Sequence, residues 1–157
     1  MNDDLMTIEF EGMLLGRYVS PTLRHNDGGP GLDRSAYTVL TRLQLQGPMS
    51  TSELSEAFGL DVSTLHRQAN AMLRVGLVER IPDPEGGIAR KFRVSDQGLA
   101  ALATDRKVKL SGLSEILEDW SAEDVGRLAE LLSRFNADIE RRDGRPWPRP
   151  DDRQQTS

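Results

Sequence analysis

Apolar residues recur at helical spacing along most of the chain. In residues 3–19, Leu5, Ile8, Leu15 and Val19 fall near one face, and Met6, Phe10, Met13 and Leu14 widen it well beyond a single stripe. That pattern predicts a helix, stopped by Pro21, whose apolar surface needs more cover than one domain supplies; it therefore predicts a partner. After the Gly- and Pro-rich stretch 25–31, a second helix is predicted over 33–46. Asp33 is its N-cap, Ala36, Leu40 and Leu43 form its core face, and Gly47-Pro48 ends it. A third helix opens on the capping box Ser50-Thr51-Ser52-Glu53, turns Leu54, Ala57 and Phe58 inward and breaks at Gly59. A fourth, capped by Asp61 or Ser63, carries Leu65, Ala69, Met72 and Leu73 on one face and ends at Gly76.

The period then changes. "LVERI" (77–81) and "ARKFRVS" (89–95) read as strands around the turn "PDPEGG" (82–87), with Phe92 and Val94 alternating with Lys91, Arg93 and Ser95. Two long helices are predicted near 96–119 and 122–142. The second opens on another capping box, Ser121-Ala122-Glu123-Asp124, and bears the stripe Val125, Leu128, Leu132, Phe135 and Ile139. From Asp143 on, apolar content is too low to fold alone, so 143–157 is expected to be a disordered tail.

Helix, helix, helix and hairpin in that order form a winged helix-turn-helix, here within a mainly α chain. The helix at 51–58 braces the helix at 62–75, which is then free to enter a major groove wide enough for one α-helix. With its apolar face committed to the core, the other face offers Ser63, Thr64, His66, Arg67 and Asn70. Arg67 suits the O6/N7 edge of guanine and Asn70 the N6/N7 edge of adenine. Ser63 and Thr64 suit phosphate, as does the helix N-terminus itself. The same residues would serve equally as a solvated helix face; the caps, the Gly turn and the basic hairpin favour DNA. Some winged helices only dock proteins, and a protein-interaction module without DNA binding is the alternative.

Charge sharpens this picture. The chain carries a formal net charge of −5, which argues against indiscriminate coating of nucleic acid. Between Arg67 and Arg93, however, six basic residues face three acids. The positive charge is segregated onto the segment expected to read DNA.

"LDRSAYTVLTRL", then "GPMSTSELSEAFGLDVSTLHRQANAMLRVGLVER", then "DPEGG" resembles the multiple antibiotic resistance regulator (MarR) family of transcription factors, most specifically over 32–87. The resemblance implies one domain over 1–142. Residues 1–20 and 96–142 would supply interlocking dimerisation helices, and 33–95 the DNA-binding lobe. It further implies a homodimeric regulator, in our reading a repressor, on a pseudo-palindromic operator in double-stranded DNA, and release by a small-molecule effector. One departure stands out. The family's wing reads Asp-Pro-x-Asp-Gly-Arg, with the arginine reaching the minor groove. Here Gly86 replaces the second acid and Ile88 stands where the arginine is expected. Arg90, two residues on and so on the same face of an extended strand, is the candidate replacement, helped by Lys91. Otherwise Arg90 would only pair with Asp83 or Glu85 and hold the hairpin.

Other chemistries find little support. There is no cysteine, and the two histidines, His25 and His66, make no ligand set, so no metal or other cofactor is expected. "GGPG" (28–31) lacks the Lys-Ser/Thr of a phosphate loop, no nucleophile motif is present, and an enzyme is not expected. "RPWPRP" (145–150) fits a polyproline ligand less well than a disordered tail. No apolar run is long enough to span a membrane, the acidic N-terminus does not read as a signal peptide, and a cytoplasmic location is expected. An effector pocket is expected between the dimerisation helices and the winged lobe, with Met13, Tyr18, Tyr37 and Trp120 as its candidate lining.

Overall fold

The computed structural model describes residues 1–22 and 31–150. Along the described residues the order is α1 (Asn2–Thr22), α2 (Arg34–Gln46), α3 (Thr51–Phe58), α4 (Val62–Arg74), β1 (Val78–Ile81), β2 (Lys91–Val94), α5 (Asp96–Ile116) and α6 (Ala122–Asp143). This is the winged helix expected from the sequence. Most boundaries fall within the one or two residues by which helix ends vary. α5 stops at Ile116, and 117–120 form a turn in which the Trp120 N–H donates to the Leu117 carbonyl (3.0 Å).

Caps set the helix starts. The Asp33 side chain accepts from the Ala36 N–H at 2.7 Å. Ser50 and Glu53 form the full reciprocal box: Ser50 Oγ accepts from the Glu53 N–H (3.1 Å) and Glu53 Oε2 accepts from the Ser50 N–H (2.7 Å). Ser121 also caps, accepting from the Asp124 N–H (3.1 Å), but the reciprocal half is missing. The Asp124 carboxylate instead accepts from the Ser121 hydroxyl at 2.7 Å, since Asp is one methylene shorter than Glu and does not reach back to the amide. Asp61 occupies the N-cap position of α4, yet its side chain makes no cap hydrogen bond. Gly59 closes α3 at φ +62°, a left-handed conformation that favours glycine.

The lobe closes around one core. Val39, Leu40 and Leu43 from α2, Leu54 from α3, Leu65, Ala69 and Met72 from α4, Val78, Phe92 and Leu102 are all buried. Ala36, Ala57, Phe58 and Leu73, expected inside, lie half-buried at its margin. Each large side chain removed from water contributes about 1.5–3 kcal/mol. The hairpin is antiparallel, with Val78 opposite Val94 and Ile81 opposite Lys91. One further rung was not apparent from the sequence: Met49, between α2 and α3, exchanges both backbone hydrogen bonds with Phe92 (2.8 and 3.1 Å). It ties the wing to the connection between α2 and α3.

The long helices are built differently. Leu5, Met6, Ile8, Phe10 and Met13 on α1 remain about half exposed, as do Leu110 and Ile116 on α5 and Leu131 and Phe135 on α6. No residue of α6 is fully buried. The apolar stripes read from the sequence are present, but a single chain leaves them largely uncovered.

Asp143, the first residue of the expected tail, ends α6, and residues 144–150 follow it without regular secondary structure over 145–149. Gly144 caps α6 at φ +67°, and the following segment packs against α2 and α3 through Trp147, 5.4 Å from Phe58 between ring centroids. Counting apolar residues understates a segment whose one tryptophan has a large area to bury. Residues 151–157 lie outside the described residues.

Candidate nucleic-acid interface

α4 separates its residues by periodicity. Leu65, Ala69 and Met72 are buried, whereas Ser63, His66 and Arg67 are exposed and Thr64 and Asn70 half-exposed. The five polar residues singled out in the sequence therefore share the outward face of α4. Arg67 holds no hydrogen bond or ion pair among the described residues, leaving its planar fork of donors free. Asn70 Nδ2 lies 3.1 Å from the His66 ring nitrogens, so this pair is already engaged one turn apart. Because the Asp61 side chain leaves the start of α4 uncapped, backbone N–H groups there remain available to an anion.

The wing is held by Asp83. Its Oδ1 accepts from the Glu85 N–H (2.9 Å), and its carbonyl accepts from the Gly86 N–H (3.0 Å). Gly86 takes φ +83°, and a Cβ at Gly87 would collide with the Asp83 carboxylate. The two glycines where the family pattern has Asp-Gly are thus accounted for by the turn itself. Ile88 stands fully in solvent at the tip.

The two basic residues expected on the wing part company. Arg90 is exposed and forms no ion pair with Asp83, Glu85 or any other described acid. Lys91 turns the other way. Its side chain is only 12% exposed, with Nζ 3.2 Å from Glu53 Oε1 and 3.5 Å from Asp83 Oδ1. It fastens the wing to the start of α3 and is not presented to a ligand. The strand expected over 89–95 begins only at Lys91, so Arg90 lies outside β2 and its side chain does not follow the strand's alternation; one basic pair in the sequence becomes one free and one structural cation. The two acids hold the Lys91 ammonium above its usual range: the Glu53 hydrogen bond raises it most, against some desolvation, and Asp83 adds to it. Arg93 is neutralised across the strands by Glu79 at 2.7 Å, and Arg80 lies over the Phe92 ring, 5.5 Å from its centroid.

The candidate effector residues are not gathered into one site. Met13 and Tyr18 are exposed on α1, and Trp120 is exposed in the turn after α5. Tyr37 is half-buried beneath Lys109, whose Nζ lies 4.7 Å from the ring centroid. An open groove of about 1040 Å³ does run between the start of α2, the end of α4 and the start of α5. Ala36, Met72, Val75, Leu77 and Ala101 line it together with Arg34, Gln68 and Gln97, and none of the four named residues does. His25 lies outside the described residues. Among the described residues no helix is long and apolar enough to cross a membrane.

A three-helix lobe with a hairpin wing, an outward polar face on α4 and an arginine there without a described partner defines a winged helix-turn-helix protein. Comparison with known proteins is more specific. A sequence model of the MarR family matches residues 31–87. The uncharacterized HTH-type transcriptional regulator YxaD of Bacillus subtilis (strain 168) is 37% identical over 105 residues, covering 67% of this chain and 73% of its own. A MarR family protein from Bacillus stearothermophilus superposes with a TM-score of 0.71 at 20% identity, covering 88% of this chain and 94% of that one. A mutant of MarR from E. coli, solved in complex with operator DNA, gives a TM-score of 0.66 at 16% identity, covering 85% and 96%. The chain belongs to the MarR family of winged-helix transcriptional regulators.

Proposed function

We propose that this protein is a homodimeric, sequence-specific DNA-binding repressor acting in the cytoplasm. The observation that carries the reading is the outward face of α4, where Arg67 stands free beside Ser63, Thr64, His66 and Asn70 on a lobe whose core is already closed. None of these five side chains belongs to the buried core. The E. coli relative of the same fold, solved with operator DNA, supports the same use here.

Two lobes related by a two-fold axis present their α4 helices to successive major grooves, about 34 Å apart. Ser63, Thr64 and the α4 N-terminus set position on the phosphates, and Arg67, His66 and Asn70 read bases. Arg90 reaches the backbone or minor groove from the wing. The uncovered apolar surfaces of α1, α5 and α6 form the dimer. A small apolar effector seated between lobe and arms releases DNA by favouring a dimer with wrongly spaced heads, to the extent that it binds that state more tightly.

Selection of bound duplexes from a random DNA library at near-physiological salt tests this. An enriched inverted repeat with half-sites about one helical turn apart is expected. No enrichment by a folded, dimeric protein would instead support a protein-docking module.

A further inference from the structure

The segment after α6 joins the arm to the reading head at one point. Gly144 turns the chain back, and Trp147 lands edge-on against Phe58 at the end of α3, with an interplanar angle of 84°. The Arg42 guanidinium of α2 covers the same indole, 4.9 Å from its centroid. Arg42 is only 7% exposed, and its Nη1 donates to the Pro146 carbonyl at 3.1 Å while its Nε donates to Gln46 Oε1 at 2.7 Å. From the α6 side, Glu140 accepts from the Trp147 N–H (3.1 Å) and from Arg149 Nη2 (2.6 Å). The Arg145 guanidinium lies against Gly59 in the α3–α4 turn. Three elements, α2, α3 and α6, thus meet on one tryptophan.

We propose that residues 144–150 are a strap that fixes the angle between α6 and the reading head, with Trp147 as the positioning residue for operator spacing. The proposal rests on the DNA-reading function above. In a two-fold dimer the arms lie at the axis and α4 lies out along the DNA. A small rotation of a lobe about its arm is therefore magnified at α4 and changes the separation of the two reading helices. Covalent continuity through α5 holds one side of the lobe. The strap holds another, gripping the reading pair at the turn that leads into α4. Release of the strap takes from Arg42 its carbonyl acceptor and its aromatic face together, so the two contacts form and break as one.

The test uses the full chain with Trp147→Ala, the conservative Trp147→Phe, and Glu140→Ala, which cuts the strap from the opposite side. Sedimentation and circular dichroism establish that each is folded and dimeric. Hydrogen exchange in α3 and affinity for the selected inverted repeat are then measured, the latter on duplexes with base pairs progressively inserted between the half-sites. Wild type is expected to prefer one spacing sharply. W147A and E140A should exchange faster in α3, lose about tenfold in affinity at that spacing and much less at the others, so that the preference flattens. W147F should keep most of it. Unchanged affinity and spacing preference in W147A overturn the proposal, as does an equal loss at every spacing, which would mark local damage only. Wild type binding no duplex would be a failure of the DNA-reading function and would remove the spacing role with it. A failure confined to the variants leaves that function standing.

Discussion

Arg67 and Arg90 are exposed cations with no described partner, while Lys91 is spent inside the lobe. This difference predicts three distinct phenotypes. Arg67→Ala should weaken operator binding by about 1–3 kcal/mol and relax selectivity at one position per half-site, measured by binding to single-base operator variants. A loss equal on all sequences would make Arg67 a phosphate contact instead. Arg90→Ala should lower affinity evenly across sequences and reduce the slope of log K against log salt by about one per wing contact. Lys91→Ala should leave that slope unchanged and lower the melting temperature, because it removes the link from the wing to Glu53 and Asp83. The outward polar face of α4 was legible in the sequence because it is the complement of the apolar stripe Leu65, Ala69, Met72. The fate of Lys91 was not, since its partner Glu53 is 38 residues away and only the folded hairpin brings them together.

Each short element is set by contacts at its ends, and these give the next predictions. The capping box of α3 is both a helix start and an anchor for the wing, because Glu53 accepts from the Ser50 N–H and pairs with Lys91. Burial pushes the Glu53 carboxyl up, but the Ser50 amide and Lys91 together outweigh it and hold the group below its usual range. A carboxylate lowered in the folded state stabilises fully above its unfolded value of about 4.3, and that contribution disappears as pH falls through the lower folded value. The gap in melting temperature between wild type and Glu53→Gln should therefore be constant near neutrality and close below about pH 4. Gly98, in the first turn of α5, is buried so tightly against β1's approach that an added Cβ would strike the Leu77 carbonyl and Val94. Gly98→Ala should destabilise the lobe by about 1–3 kcal/mol in denaturant unfolding, though alanine is the better helix former. Helix order, the Ser50 box and the hairpin were readable from local pattern. The Met49–Phe92 rung, the tight seat of Gly98 and the Trp147 contact were not, because each depends on segments distant in sequence meeting in space.

At the scale of the whole molecule, burial is lopsided. The lobe's core side chains are removed from water, while α1 keeps Leu5, Ile8, Phe10 and Met13 about half exposed, and α6 keeps Phe135 so and Leu132 and Ile139 only slightly less exposed. Apolar patches of this extent mark an interaction surface, and in the proposed homodimer a second copy would bring the same stripes in self-complementary form. Phe10→Asp places a charge on that surface without touching the lobe core, to which none of the described α1 side chains contributes. It should shift sedimentation from dimer to monomer at micromolar concentration. Each lobe would still fold around Phe92 and read its own half-site, but the two half-sites would no longer be held together. Since linked sites exceed single-site affinity by about 10²–10⁴, operator binding should fall by roughly a hundredfold or more, while binding to an isolated half-site should be nearly unchanged. An intact dimer with full affinity would show that α1 lies outside the interface. A monomer with full operator affinity would show that dimerisation is not what joins the two reading heads.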